Sequence, residues 1–240
     1  AHLYSAFMGR GQPDPASACP LIALIVSGGH SMIVRVNQPG RYTLLGQTID
    51  DAAGEAFDKA ANLLGLGYPG GPAIDRASRE GNPAAIRFPR GVLKKSRRID
   101  LDAGPFAFSF SGLKTALLYH LRDYPVKDNT KYRADVAASF QEAVVDTLID
   151  RTSAAIHGER VLAVAGGVSL NRRLREKVNL LAAAKGMELL LAVPEHCTDN
   201  AAMVAGLAGS NFAAVHPSEN LAIDAVPSLS LPFQLIPRTE

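Results

Sequence analysis

Pro20-Leu21-Ile22-Ala23-Leu24-Ile25-Val26-Ser27-Gly28-Gly29-His30-Ser31 is the stretch on which the fold turns. Pro20 to Val26 is a continuous apolar run bounded by Ser27-Gly28-Gly29, and it reads as a buried strand. Ser31 to Val36 alternates and makes a second strand, with Gly28-Gly29 as the hairpin turn between them. Asn37-Gln38-Pro39-Gly40 is a second turn, and Tyr42 to Gln47 is a third strand. From Asp50 to Leu66 the period changes. Ala53, Ala56, Phe57, Ala60, Leu63 and Leu64 recur at helical spacing. Gly65 and Gly67 end that helix, and Tyr68-Pro69-Gly70-Gly71-Pro72 is a rigid loop.

Residues 73–132 are less regular. Ala73 to Arg79 and Gly112 to Asp123 read as helices, with the basic stretch Lys94-Lys95-Ser96-Arg97-Arg98 between them. Tyr124 to Lys131 reads as a polar turn and Asp135 to His157 as a long amphipathic helix. Val161 to Ala165 is a strand, and Gly166-Gly167-Val168-Ser169 turns into a helix over Leu170 to Lys185. Met187 to Val193 is the next strand, and Asp199 opens the last helix. From Pro217 onward no period holds, so the tail reads as mostly irregular. Three antiparallel strands, then helix, strand, helix, strand, helix, is the order of an RNase H-like lobe. The fold class is α/β, a mixed sheet with flanking helices. Such lobes occur in pairs in actin-like and sugar-kinase-like proteins, and fold alone does not give function.

The chain has 240 residues, 47% hydrophobic and 20% charged, which fits one large domain or two small ones. A formal charge of +2 is no global nucleic-acid signature, so any basic footprint is local. Lys94, Lys95, Arg97 and Arg98, with Arg172, Arg173 and Arg175, are the candidate footprint; a solvated charged face is the alternative. Cys19 and Cys197 are too few for a disulfide framework, which favours a reducing, cytoplasmic compartment. Leu21 to Val26 is too short to span a bilayer, and no secretory signal opens the chain. It starts at Ala1-His2-Leu3-Tyr4 without an initiator Met, which reads as a fragment, a processed product or a partly covered chain.

Gly-rich turns carry the candidate chemistry. In Ser27-Gly28-Gly29-His30-Ser31 the glycines let the backbone approach a ligand. Successive N–H groups in such a turn form a nest for an anion; an ordinary hairpin accounts for the same two glycines. His30 is either a ligand or acid/base group, or a hydrogen-bonded structural side chain. Asp50, Asp51, Glu55 and Asp58 stand at a helix start, where the dipole favours each acid by roughly 0.3–1 kcal/mol. That explains Asp50 and Asp51 without function. Asp58 lies deeper; it can accept from ribose hydroxyls, or pair with Lys59 or Arg76. Tyr68 to Asp75 can let a ribose lie on bare backbone with Asp75 as a second acceptor, or merely stop one helix and start another. Ala165 to Asn171 is a strand–Gly-Gly–helix junction that can aim N–H groups at a phosphate, with Asn171 at an adenine or ribose edge. It is neither a Walker loop nor a G-x-G-x-x-G fingerprint. Lys114, at the start of the helix after Phe108-Ser109-Phe110-Ser111, is either a phosphate or RNA contact or solvated. Asp199, in Cys197-Thr198-Asp199-Asn200-Ala201-Ala202-Met203, can cap the last helix or serve as a hard oxygen ligand for a metal.

SGGHS at 27–31, DDAAGEAFDKAA at 50–61, LGLGYPGGPAID at 64–75, FSFSGLKTA at 108–116, AGGVSLNRRLR at 165–175 and CTDNAAMVA at 197–205 follow one another in this order. In this the chain resembles the tRNA N6-adenosine threonylcarbamoyltransferase family, the bacterial TsaD type, once described as glycoprotein endopeptidases. The resemblance covers nearly the whole chain. It implies the actin-like ATPase (ASKHA) superfold, with threonylcarbamoyl-AMP bound as donor in the cleft. Val26, Ser27, Gly28, Gly29 and His30 match the family's phosphate-side loop. Asp58, Gly71, Asp75 and Asn171 match positions that hold the adenosine part. Asp199 matches a metal-ligating Asp, and His2 the second His of an H-x-x-x-H pair whose first His would lie upstream of Ala1. The implied metal is one divalent ion, Fe2+ or Zn2+.

On this reading residues 1–18 end an N-terminal lobe, 19–198 form the C-terminal RNase H-like lobe with a helical insertion around 73–132, and 199–240 hold the metal Asp, a returning helix and the tail. The first lobe is otherwise missing, so residues 1–240 alone are expected to hold metal poorly and to be inactive. The implied reaction is acyl transfer to N6 of adenosine 37 in tRNA. The implied partners are tRNA, a TsaB-type paralogue and a TsaE-type ATPase, with no membrane. Three other classes compete. A metallopeptidase predicts H-E-x-x-H, which the sequence lacks. A non-catalytic nucleotide-binding scaffold sits poorly with intact CTDNAAM and AGGVSLN segments. A small-molecule kinase needs a catalytic Asp in the missing lobe.

Overall fold

The structure, a computed structural model, describes residues 1–9, 11–91, 103–211 and 234–235. One sheet holds β1 Leu21–Val26, β2 Ser31–Gln38, β3 Arg41–Gln47, β4 Val161–Ala165, β5 Glu188–Leu191 and β6 Gln234–Leu235, in the order β5-β4-β1-β2-β3-β6. β1, β2 and β3 are successive antiparallel neighbours, while β4 runs parallel to β1, β5 to β4 and β6 to β3. This is the RNase H-like arrangement that the strand order predicts. Within the tail read as mostly irregular, Gln234 and Leu235 pair with Thr43 and Leu44 as β6. The rest of the tail, like Lys94 to Arg98, lies outside the described residues.

β1 is apolar throughout because both of its faces are covered. Ile22, Leu24 and Val26 face one core, with Ile33 and Leu45 from the neighbouring strands. Helices α3 Ala53–Leu63, α4 Gly70–Ala77, α5 Ser111–Asp123, α6 Thr130–Ala155 and α7 Arg172–Lys185 cover that face. Leu21 and Ala23 face the other side, against Leu3, Tyr4 and Ala18 of two short helices, α1 His2–Ser5 and α2 Pro15–Ala18. α8 Pro194–Cys197 and α9 Ala201–Asn211 follow β5. The small residues of α9 let it lie against the end of the α1 segment, where a Cβ on Gly206 would stand 3.3 Å from Met8 Sδ.

Helix starts depart from the periodicity because polar caps set them. The Asn129 side chain accepts from the Tyr132 N–H at 2.9 Å, so α6 begins at Thr130, inside the stretch read as a polar turn. Its first buried residue is Val136, which is why the apolar period starts late. α3 begins at Ala53, leaving Asp50 and Asp51 outside its first turn. Asp51 pairs with Lys59 instead. Asp50 accepts from the hydroxyls of Ser109 and Ser111 and from the N–H groups of Phe110 and Ser111, so it caps α5 and not α3.

Glu142 joins α6 to α7. It accepts from Arg173 at 2.7 and 2.8 Å and meets Lys177 Nζ at 2.6 Å. Burial pushes its pKa up, but the hydrogen bonds from Arg173 and Lys177 outweigh this and hold it at about 2, against an ordinary 4.5. A carboxylate with a lowered folded pKa stabilises above its unfolded pKa and loses that contribution as pH falls through the folded one. Denaturant midpoints are therefore expected to fall between about pH 5 and about pH 2. Glu142→Gln should lower stability at neutral pH and flatten this part of the curve.

Candidate functional site

The Gly-rich turns meet along one rim, at the carboxyl ends of the parallel strands β1 and β4, where ligands bind in open α/β sheets. In the first turn, Ser27 N–H donates to the His30 carbonyl at 2.7 Å and His30 N–H to Ser27 Oγ at 3.1 Å. Gly28, Gly29 and His30 are exposed, and nothing lies within 4 Å of a Cβ built on either glycine. The Gly28 and Gly29 N–H groups have no acceptor among the described residues. α3 drives its N-terminus under this turn: Gly54 N–H donates to Ser27 O at 3.3 Å and Ala53 N–H to Ser31 Oγ at 2.9 Å. A Cβ on Gly54 would stand 2.6 Å from Gly28 Cα, so backbone lies on backbone here. From the other side Gly166 presses on β1, where its Cβ would stand 2.4 Å from Val26 O.

Asp58, Asp75 and Asn171 each spend part of their hydrogen-bonding capacity on a helix start. Asp58 Oδ1 accepts from Gly70 N–H of α4 at 2.7 Å, and the structure shows neither Lys59 nor Arg76 as its partner. Asp75 Oδ1 accepts from Arg172 N–H of α7 at 3.2 Å. Asn171 caps α7 through Leu174 N–H at 3.0 Å, so α7 starts at Arg172 and not at Leu170. Each Asp keeps a second carboxylate oxygen, that of Asp75 lying 4.0 Å from Arg79 Nη2. Gly71 faces open space, whereas a Cβ on Gly70 would meet Asp58 Cα at 2.4 Å. Gly70 is thus the glycine the packing demands, and Gly71 the one that leaves room.

At the near end of the rim, His2 Nε2 lies 3.2 Å from Asp199 Oδ1. Asp199 does not cap α9, because Asn200 does, accepting from Met203 N–H at 2.9 Å. The Asp199 side chain is 90% exposed and free to take a ligand. Burial holds the His2 imidazole below its usual pKa, against the pull of Asp199. Two ligands about 2.1 Å from one ion stand roughly 3.0 Å apart at a right angle and roughly 3.4 Å apart at the tetrahedral angle. The observed 3.2 Å fits two ligands of one divalent ion. Among the described residues no group of three His, Cys, Asp or Glu side chains is gathered that could hold a metal.

Comparison with known proteins gives this rim a context. A family model described as "TsaD: tRNA N6-adenosine threonylcarbamoyltransferase" matches residues 1–206. The chain belongs to that family. A relative named tRNA N6-adenosine threonylcarbamoyltransferase from Geobacter metallireducens is 47% identical over 227 residues, 94% of this chain and 62% of the relative. One of the same name from Magnetococcus marinus is 47% identical over 233 residues, 96% of this chain and 63% of the relative. The chain therefore spans less than two thirds of the length of these relatives. Among solved structures, full-length HypF in its phosphate- and nucleotide-bound form superposes with TM-score 0.58 at 12% identity, over 91% of this chain and 36% of HypF. That likeness bears on the fold alone.

In this threonylcarbamoyltransferase-family lobe, one residue that braces the rim, Gln141, lies outside every motif. Asn171 Nδ2 donates to Gln141 Oε1 at 2.7 Å, Gln141 Nε2 to Ser78 Oγ at 2.8 Å, and Ser78 Oγ to the Asp75 carbonyl at 2.9 Å. The Asn171, Gln141 and Ser78 side chains are all buried. The chain of bonds ties Asn171 on α7 to Asp75 on α4 through the middle of α6. Gln141→Ala strands the buried Asn171 Nδ2, removes one of the two bonds at Ser78 Oγ, and is expected to cost about 1–3 kcal/mol. Urea unfolding measures that cost, and calorimetry with AMP should show weaker binding as Asn171 loosens. Cys197 is a second support: it is buried, and Ser169 Oγ lies 3.3 Å from its sulfur. Arg173 and Arg175, read from sequence as candidate RNA contacts, hold structure instead. Arg173 is engaged by Glu142 and Glu176, and Arg175 donates to the Ser169 carbonyl at 2.8 Å and the Ala192 carbonyl at 3.2 Å. Arg172 pairs with Glu176.

Proposed function

We propose that the full-length protein transfers the threonylcarbamoyl group from threonylcarbamoyl-AMP to N6 of adenosine 37 in tRNAs that read codons beginning with A. The observation that carries this reading is the 3.2 Å approach of His2 to Asp199 beside the Gly-rich rim, in a chain of this family.

The open Gly28 and Gly29 N–H groups receive the donor's phosphate and stabilise its charge as AMP leaves. The second carboxylate oxygens of Asp58 and Asp75 accept from the ribose hydroxyls, and Gly71 leaves the backbone bare beneath them. Asn171, held by Gln141, borders the adenosine. His2 and Asp199, with a His supplied from upstream, would hold one divalent ion, Fe2+ or Zn2+, which when bound would supply Lewis-acid chemistry. N6 attacks the carbamoyl carbon, the bond from that carbon to the phosphate oxygen breaks, AMP departs, and the proton released from N6 passes to solvent. No side chain is assigned as general base; AMP is a good leaving group, so positioning carries most of the rate. A TsaB-type paralogue and a TsaE-type ATPase complete the assembly, in the cytoplasm. Among the described residues no helix is long and apolar enough to cross a membrane.

The test is to supply the full-length protein and its partners with the adenylate donor and unmodified tRNA, then to digest the tRNA for nucleoside mass spectrometry. Threonylcarbamoyl-adenosine is expected. Its absence from an assembled, donor-supplied reaction overturns the proposal.

A further inference from the structure

A cavity of about 260 Å³ opens between the end of α4, the following turn Ser78–Glu80 and the first turn of α6. Its charged lining is Arg76, Arg79, Arg133 and Glu80, so three guanidinium groups face one carboxylate. These arginines are poorly neutralised. Arg79 comes no nearer than 4.0 Å to Asp75, and its side chain is 62% exposed. Arg133 donates from Nη2 to the Lys127 carbonyl at 3.1 Å, but its Nε is buried without a partner. Arg76 makes no side-chain hydrogen bond or ion pair among the described residues. By contrast Arg35, Arg90 and Arg173 each meet a carboxylate at 2.6 to 2.8 Å. Thr130 adds a hydroxyl to the lining, and the positive end of a helix of 26 residues forms the wall behind it.

We infer that this cavity seats a backbone phosphate of the tRNA substrate, an inference that rests on the proposed function. Planar guanidinium forks match phosphate oxygens in pairs. The lining holds no aromatic side chain, and its only apolar ones are Ala77 and Ala134. The donor's own phosphate has its place at the Gly28–Gly29 turn. The cavity also adjoins the nucleotide rim, since Arg79 and Arg172 N–H approach the same Asp75 carboxylate.

The test uses the full-length protein in its complex. Arg76→Gln/Arg79→Gln/Arg133→Gln is compared with wild type for tRNA binding across a salt series, and for AMP binding by calorimetry. Weaker tRNA binding is expected, with the slope of log affinity against log salt reduced by about 0.7 for each phosphate that the variant no longer neutralises. AMP affinity is expected to be unchanged, and Arg→Lys at the three positions to retain most of the slope. Should the triple variant melt early, exposed Arg79→Gln alone decides, with a smaller loss in the same direction. Unchanged tRNA affinity and slope overturn the inference. Weaker AMP binding with normal tRNA binding also overturns it, by assigning the cavity to a nucleotide phosphate. Wild-type protein that binds no tRNA overturns the proposed function, and this inference with it.

Discussion

Asp199→Ala in the full-length protein is expected to reduce threonylcarbamoyl-adenosine formation by about a thousandfold or more while leaving the melting temperature unchanged. The size of the rate loss follows from the several kcal/mol of charge stabilisation that a Lewis acid supplies, at about 1.36 kcal/mol per factor of ten. The expectation for stability follows from the geometry. The Asp199 side chain is 90% exposed, and Asn200, not Asp199, caps α9. Removing the carboxylate therefore takes away the proposed metal ligand and, of the contacts within the lobe, only its exposed 3.2 Å approach to His2. Elemental analysis of the purified protein should show metal falling in parallel with activity. Normal product yield, or a large drop in melting temperature, would count against the assignment.

Gly166→Ala is expected to be the most damaging single methyl group that can be added at the rim, at about 3 kcal/mol or more. Gly166 has φ +94° and ψ 161°, a region that is essentially glycine's alone. Holding another residue there costs about 1–3 kcal/mol. The new Cβ would also stand 2.4 Å from Val26 O, which is backbone and cannot swing aside. Forcing atoms into a filled core adds about 1–3 kcal/mol more. Gly167→Ala is the control, since its Cβ would meet only Thr198 Cγ2 at 3.8 Å. Chemical denaturation of the pair measures the difference. Near-equal stability of the two variants would show that β1 can yield at this point.

The sheet was legible because β1 and β4 are apolar on both faces and the turns between strands carry glycine. What the sequence hid is long-range. Asp50 reads as a helix-dipole acid until Ser109 and Ser111 are seen to close on it from the far end of an insertion. Gln141 lies inside a long helix, and its neighbours along the chain do not distinguish a buried amide from a solvated one. Two adjacent glycines, Gly70 and Gly71, look alike until Asp58 Cα is found against one of them. Asp199 and Asn200 are equally able to cap α9; only the fold shows that Asn200 takes that role. The pairing of His2 with Asp199 rests on family resemblance, because no spacing rule joins residues from opposite ends of a lobe.

Two clamps fix the chain on either side of residues 92–102. On the way out, Arg90 grips Asp146 at 2.8 Å and Gly91 N–H meets Thr147 Oγ1 at 3.2 Å. On the way back, Phe106 and Phe108 N–H groups bond to Leu45 and Gln47 carbonyls at 3.0 Å, and Asp50 seals the start of α5. A chain fastened at both ends passes little of its own variation to what it leaves behind. Lengthening a loop between fixed points is cheap, about 0.6 kcal/mol for each doubling. The bonds at Gly91 and Phe106 are therefore expected to hold the rim in place when the length of chain between them is changed.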